Sequence, residues 1–474
     1  MANQNLLTHT YKTTRTQQDY YSPVAILPGT SQSINSTYCF LSKVDPWTDD
    51  NNPDTPTQDQ KYIKSVYKNM FVAKKITTNN ISPVIQRIDW TLNTVYDYYR
   101  DDVDMLERDT NGFLIFNFYV RNSFNQVFKC LWNNNGAYSV NEPIFQPGTY
   151  NTNAIFQNSD GYKWKYMYTI DLGSKRNFMD SSWMPVPITS VVGNLLTGQT
   201  LDPTETSLTT GTVPGSGDIE VINVTNGGSG YNPSNSAIFV TITGDGIGAN
   251  GSVVVANGSI TDIQVTNIGT NYIYANVIIS STTGSGATAI ASSSPIGGHG
   301  YDPVSELGCQ NIMYVCEFNS NEGGTENGLS YIPTDIDYRQ VGLLINPLAS
   351  STYPNWANAA IYNTATDAIV FPGFGEYVSD ENVYQYDTNG NQVFSATVLS
   401  FDPGTNVINL INITGTPILN SPISGNVSKT SRTLNTVITP DFITFSGYIT
   451  FIQNRTGVQR SFDGIEQYKF VLQY

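Results

Sequence analysis

Residues 159–170 read SDGYKWKYMYTI, and the order of residue types in this stretch decides the fold. Asp160-Gly161 is a hairpin-turn dipeptide, because a tight turn needs positive φ and glycine adopts it freely. Beyond it Tyr162, Trp164 and Tyr166 alternate with Lys163 and Lys165. Side chains along a strand point to opposite faces with a period of two, so the aromatics share one face and the lysines take the other. The aromatic face is expected to be core.

The same grammar recurs outward along the chain. Asn-Gly, the strongest short hairpin signal, occurs at Asn111, Asn135, Asn226, Asn250, Asn257, Asn327 and Asn389, and Asp-Gly again at Asp245 and Asp463. Between the turns lie short runs of β-branched and aromatic residues, among them 113–120 (FLIFNFYV), Tyr162 to Ile170 and Val341 to Ile345. A helix is expected where Tyr62, Ile63, Val66, Tyr67, Met70 and Phe71 repeat at i, i+3, i+4 spacing, behind Thr57 as N-cap and with Lys74 and Lys75 at the far end. The acidic, Pro-punctuated stretch 46–60 before it reads as a loop. A second, weaker helix is expected near Tyr353 to Tyr362. The fold class is therefore mainly β: a layered β-sandwich scaffold with few helices in loops, plus two inserted small β modules.

Composition places the inserts. After Val191, Gly, Thr, Ser and Asn dominate until about Gly300, and large aromatics nearly vanish. Within this segment Val224 to Tyr231 (VTNGGSGY) aligns with Val265 to Tyr272 (VTNIGTNY), and Gly246 to Ala249 with Gly284 to Ala287, which marks a tandem β repeat whose units must stack to close a core. No Lys-Ser/Thr follows its glycines, so they read as turns rather than a phosphate cradle. A second block, from about Phe371 to Ser431, reads as a small barrel or hairpin module with strands at 376–386, 392–401 and 407–413. The expected division is scaffold over 1–190, repeat insert over 191–297, scaffold over 298–370, small insert over 371–431 and C-terminal scaffold strands over 432–474.

The chain has 474 residues, with 23 Lys+Arg against 39 Asp+Glu and a net charge of −16, which disfavours a general grip on nucleic acid or anionic lipid. Aromatics make up 12%, with 30 Tyr and 21 Phe, enough for large cores and contact surfaces and too many for a disordered chain. No apolar run reaches the roughly 18 residues a membrane span needs, and the polar start lacks a signal core, so folding in the cytosol of the producing cell is expected. Cys39, Cys130, Cys309 and Cys316 lack metal or disulfide spacing and read as small buried thiols.

Catalytic chemistry finds little material. Only His9 and His299 exist, the first in a polar leader and the second in a Gly-rich turn, and no G-x-S-x-G motif accompanies either. Two carboxylates would suffice for glycoside hydrolysis, and Asp97, Asp101, Asp102 and Asp104 form a cluster within YDYYRDDVD (96–104). That stretch reads more simply as a solvated acidic loop or a contact patch rich in tyrosine. Asp387, Asn389 and Asn391 alternate like part of a calcium loop, yet the glycine and distal glutamate such a loop needs are missing, so they read as a hairpin turn. No catalytic, cofactor or metal residues are assigned.

Five strings carry a resemblance: Arg87-Ile88-Asp89-Trp90; Ser159 to Tyr168; Gly298 to Gly308 (GHGYDPVSELG); Tyr338 to Leu348 (YRQVGLLINPL); and Phe445 to Arg455 (FSGYITFIQNR). In this order they resemble the baseplate wedge protein encoded by gene eight of T-even-like contractile-tailed bacteriophages. The resemblance covers roughly residues 10–190, 300–350 and 440–474. It implies a structural, non-enzymatic homodimer in the virion's tail baseplate, assembled in the host cytoplasm and joined to other wedge proteins, without nucleic acid, membrane or cofactor. The two inserts depart from the family pattern and would serve peripheral tail or fibre contacts. Two competing readings are a tail-associated adhesin stacking exposed Tyr and Trp on host carbohydrate, and a glycan-cleaving spike enzyme.

Overall fold

The computed structural model describes residues 6–21, 35–146, 155–188, 217–232, 238–319, 322, 332–350, 357, 360–461 and 463–474. In chain order the elements are α1 (His9–Tyr21), β1 (Thr37–Ser42), α2 (Gln60–Asn69), β2 (Met70–Lys75), β3 (Ile81–Gln86), β4 (Tyr119–Arg121), β5 (Gln126–Trp132), β6 (Ile155–Gln157), β7 (Lys163–Thr169), α3 (Leu172–Phe178) and β8 (Trp183–Pro185). The repeat supplies β9 (Ile222–Ser229), β10 (Ile238–Gly244), β11 (Asn250–Ala256), β12 (Ser259–Asn267), β13 (Ala275–Ser281) and β14 (Ser285–Ala291). Then come α4 (Pro303–Glu306), β15 (Asn311–Asn319), β16 (Ile336–Ile345), β17 (Ile361–Asn363), β18 (Thr366–Val370), β19 (Asn382–Tyr386), β20 (Gln392–Asp402), β21 (Val407–Gly415), β22 (Pro422–Gly425), β23 (Ser431–Ile438), β24 (Tyr448–Arg460) and β25 (Ile465–Gln473). The protein is mainly β, as its turn and strand grammar requires.

These elements form two compact units. One comprises Met1–Gln18, Ser82–Met313 and Val471–Tyr474, the other Asp19–Ile81 and Tyr314–Phe470. In the second unit a five-stranded sheet runs in the order β17-β2-β1-β16-β24. Every residue of β1 is buried, because α2 covers Tyr38 and Phe40 on one face while Cys39 and Leu41 point to the other. Phe451 of β24 meets Phe470 of β25, ring centroids 5.1 Å apart, and Tyr338 of β16 meets Tyr468 at 6.4 Å, which packs this sheet on the β15–β25 layer as a sandwich. Gly342 sits opposite Phe40 and Ile452, where a Cβ would lie 2.3 Å from the Phe451 carbonyl oxygen and 2.5 Å from the Phe40 ring.

The helix differs from expectation at both ends. Asp59, not Thr57, is the N-cap, its carboxylate accepting from the Tyr62 N–H at 2.9 Å while the Thr57 hydroxyl braces that carboxylate. Met70 and Phe71 have already turned into β2, as have Lys74 and Lys75. The helical stripe therefore runs on into a strand whose first four residues are buried, and tertiary pairing with β1 overrides the i, i+3, i+4 pattern. Of the weaker helix expected over 353–362, residues 353–356 and 358–359 lie outside the described residues, and Ile361–Tyr362 belong to β17.

A closed six-stranded barrel, β18-β21-β20-β19-β22-β23, occupies Thr366–Ile438 in the same unit. The strands that close it, β18 and most of β23, fall outside the 371–431 read from composition, since their apolar residues look like scaffold: Ala368, Val370 and Leu434 fill the barrel core beside Val383, Phe394, Val398, Ile408, Leu410 and Ile423. Asp387 closes the β19–β20 turn by accepting from the N–H groups of Asn389 and Asn391 at 2.8 Å each, the hairpin role expected of it.

In the first unit the sheet order is β4-β5-β7-β6, and β3 pairs with β8. The run 113–120 forms far less strand than its composition predicts. Only Tyr119 and Val120 enter β4, while Phe113 and Ile115 bond back to Asp109 and Glu107 around the Asn111-Gly112 turn, so β-propensity there has no sheet to join.

The repeat resolves into two interlocked copies, β9-β10-β11 and β12-β13-β14, in a sheet of order β10-β13-β14-β9-β12-β11. Strand β9 lies between β14 and β12, both from the second copy; β12 lies between β9 and β11, both from the first; and β10 pairs with β13. Nearly every ladder thus joins opposite copies, and neither closes a core alone. The tyrosines do the same: Tyr231 lies over Gly284 and accepts from the Ala287 N–H at 3.2 Å, while Tyr272 lies over Gly246 and accepts from the Ala249 N–H at 3.2 Å. Of the Asn-Gly pairs, Asn257-Gly258 makes the two-residue hairpin with both φ positive, but Asn226-Gly227 and Asn250-Gly251 lie within strands. Asn226 and Asn267 instead accept from the N–H of Gly228 and Gly269, positive-φ residues at equivalent places in the two copies. Asn327 is outside the described residues.

Candidate functional site

The aromatic face of β7 is core. Tyr162 and Trp164 are fully buried with rings stacked at 5.5 Å, Tyr96 meets Trp164 edge-on at 5.9 Å, and the half-buried Tyr166 stacks on Phe145 at 4.2 Å. Less expected is the other face. Lys163 and Lys165, with Lys129 on neighbouring β5, are buried as well, because the repeat module and the loop before α4 lie across them. Lys163 donates to the Ile222 carbonyl at 2.7 Å and pairs with Asp262 at 2.8 Å; Asn223 donates to the Leu131 carbonyl at 2.9 Å. This strand is buried on both faces, one apolar and one ionic.

At the middle of the ionic face is His299, one of the two histidines in the sequence. Its loop needs glycine on both sides: Gly298 and Gly300 have φ of +87°, and a Cβ on Gly300 would meet the Lys165 side chain at 2.6 Å. Beyond it Asp302 caps α4, accepting from the N–H of Val304 and Ser305, with Pro303 at the first helical position. That helix carries Glu306 back under the loop, where its Oε1 accepts from the Gly300 N–H at 2.8 Å. Its Oε2 meets Lys129 Nζ at 2.8 Å, with side chains 4% and 1% exposed. Lys129 Nζ also stands 3.1 Å from His299 Nδ1 and 4.2 Å from the Tyr99 ring centroid, and the Tyr99 and His299 rings meet edge-on at 4.8 Å. Glu220, where the chain enters the repeat, accepts from the His299 backbone N–H at 2.8 Å.

Burial first, and then the Lys129 and Lys165 charges, hold the His299 imidazole well below its ordinary pKa. Burial raises that of Glu220 against the pull of Lys165. An ion pair this deep recovers little net stability over an apolar substitute, but removing one partner strands the other charge at a cost of about 3–5 kcal/mol. The arrangement therefore fixes geometry. Of its members sequence reading singled out only His299 and Lys165; Asp302-Pro303 followed by Glu306 is a legible helix start, whereas Lys129, Tyr99 and Glu220 carry no local signal.

The acidic cluster disperses into separate bonds. Asp97 accepts from the Asn117 N–H at 2.8 Å and Asp101 from the Ser293 N–H at 2.6 Å, Asp102 pairs with Arg100, and Asp104 pairs with His9 at 3.0 Å. All four cysteines are free and buried. Among the described residues no group of three or more His, Cys, Asp or Glu could hold a metal ion, and no helix is long and apolar enough to cross a membrane. No protein-family model and no curated relative matches the chain.

Proposed function

We propose that the chain is a structural, non-catalytic subunit of a contractile phage tail baseplate wedge, acting as a homodimer joined to other wedge proteins, with the inserts available to peripheral tail or fibre proteins. The observation that carries this reading is where the five resembling strings lie. Gly298 to Gly308 folds onto Ser159 to Tyr168 through Gly300 and Lys165, and Arg87-Ile88-Asp89-Trp90 is tied in by Asp89, which pairs with both Arg87 and Arg121 at 2.7 Å. In the other unit Tyr338 to Leu348 and Phe445 to Arg455 pair as β16 and β24, with Gly342 opposite Ile452. The strings are sheet framework: Ser159 to Tyr168, Gly298 to Gly308 and Tyr338 to Leu348 are largely buried, while Arg87 to Trp90 are half-buried and Phe445 to Arg455, which leads into the edge strand β24, is half-buried to exposed.

Imaging of contractile-tailed particles that contain this chain tests the reading. A wedge subunit repeats in multiples of six around the tail axis. Trimers projecting outward at fibre tips, together with binding to host glycans, would refute it in favour of the adhesin. Sedimentation at micromolar concentration should show a species of twice the 52.1 kDa chain mass; monomer alone counts against a stable dimer.

A further inference from the structure

Both ends of the repeat module converge on the His299 centre. Glu220 stands where the chain enters the module; where it leaves, the Ser293 N–H bonds to Asp101 at 2.6 Å and the loop then carries His299 and Glu306. The charged and titratable groups facing His299 are Lys129 from β5, Lys165 from β7, Glu220 from the segment before β9, Glu306 from α4 and Tyr99 from the loop before β4, with Asp101 of that loop acting on Tyr99.

An ammonium group has three donors and no acceptor, so the Lys129–His299 bond requires Nδ1 to accept: the imidazole is neutral, with its proton on Nε2. A proton added to Nδ1 would abolish this bond and set two like charges 3.1 Å apart in a centre sealed from water. An opened loop carries no such penalty. We propose that this centre is an acid-operated latch, in which proton uptake at His299 frees the loop before α4 and releases both ends of the repeat module from the β5–β7 sheet.

The sign follows from linkage. The opened chain binds a proton near the ordinary imidazole value of about 6.5 and the closed chain does not, so the latch is held above that pH and weakens as pH falls below it, by about tenfold in the open-to-closed ratio per pH unit. Glu220 works in the opposite direction. Its raised pKa favours the closed state as it protonates, so a His299 variant is needed to separate the two.

The test is amide hydrogen exchange of the full chain near pH 7.5 and near pH 5.5, with labelling times scaled for the intrinsic rate. Residues 217–232 and 293–306 should lose protection at the lower pH by about tenfold or more, while the barrel over 366–438 keeps its own. His299→Gln, which retains an acceptor for Lys129 without titrating, should abolish the loss of protection at the lower pH and leave only the opposite trend from Glu220. Equal protection of wild type at both values, or the same loss in His299→Gln, overturns the proposal. Should that variant fail to fold, the imidazole C2 proton signals of the wild type decide: His299 should not titrate while its segment stays protected, and a smooth titration near the ordinary value in the closed state overturns the latch.

Discussion

Replacing Trp164 with alanine probes the centre of the first unit directly. The indole is wholly buried, stacked on Tyr162 and edge-on to Tyr96, in a cluster with Phe128, Cys130 and Phe156. Truncating a fully buried aromatic costs about 3–5 kcal/mol, the transfer energy of the lost ring plus the cavity left behind. For a unit of this size about 2–4 °C of melting temperature is lost per kcal/mol, so calorimetry should show that unit's transition fall by about 6–20 °C. The barrel belongs to the other unit, and its transition supplies the internal reference. Trp164 Nε1–H has no acceptor among the described residues, so Trp164→Phe removes an unsatisfied donor along with part of the ring and should cost about 1 kcal/mol or less. Unchanged melting in Trp164→Ala, or an equal loss in both variants, would refute the packing argument.

Gly284→Ala should destabilise the repeat by about 1–3 kcal/mol, because its Cβ would fall 2.3 Å from the Tyr231 ring; a double-mutant cycle with Tyr231→Ala should be strongly non-additive, and additive losses would dissolve the reciprocal arrangement. Joining Val191 to Pro295 through a short Gly-Ser linker removes Ile222 and Asp262 and so uncovers Lys163, whose ammonium water solvates readily, so the remainder should stay folded and soluble; insolubility at every temperature would assign the repeat to the core. In the barrel, burial pushes the Glu381 pKa up, but bonds from the N–H groups of Val378, Val427 and Ser428 and from the Ser428 hydroxyl outweigh it and leave it lowered. Its contribution to stability is therefore present above the unfolded carboxyl pKa and lost as pH falls through the folded one; Glu381→Gln should flatten the acid limb of barrel melting, and an unaltered limb would count against the clamp. No release of reducing ends from host polysaccharide is expected of the purified protein, and release abolished by changing a pair among Asp97, Asp101, Asp102 and Asp104 would make it an enzyme.

Sequence alone determined what depends on neighbours a few residues apart. Alternation in Tyr162 to Tyr168 specified a strand and its apolar face, Asn257-Gly258 a two-residue hairpin, and the recurrence of Val224 to Tyr231 at Val265 to Tyr272 a duplicated unit. Each is local because φ preference and the two-residue side-chain period act within one element.

Tertiary structure alone decided where partners distant in the chain meet. Asn226-Gly227 has the composition of a turn, yet it lies mid-strand because β14, some sixty residues on, supplies a ladder beside it. The barrel gathered β18 and β23 from stretches that resemble scaffold, since closure depends on which edge strands find one another. Lysines opposite an aromatic face look solvent-facing; only the return of the chain at Glu220, Asp262, His299 and Glu306 makes their face a buried ionic one. Desolvation and Coulomb energies depend on distance through space, which sequence separation does not encode.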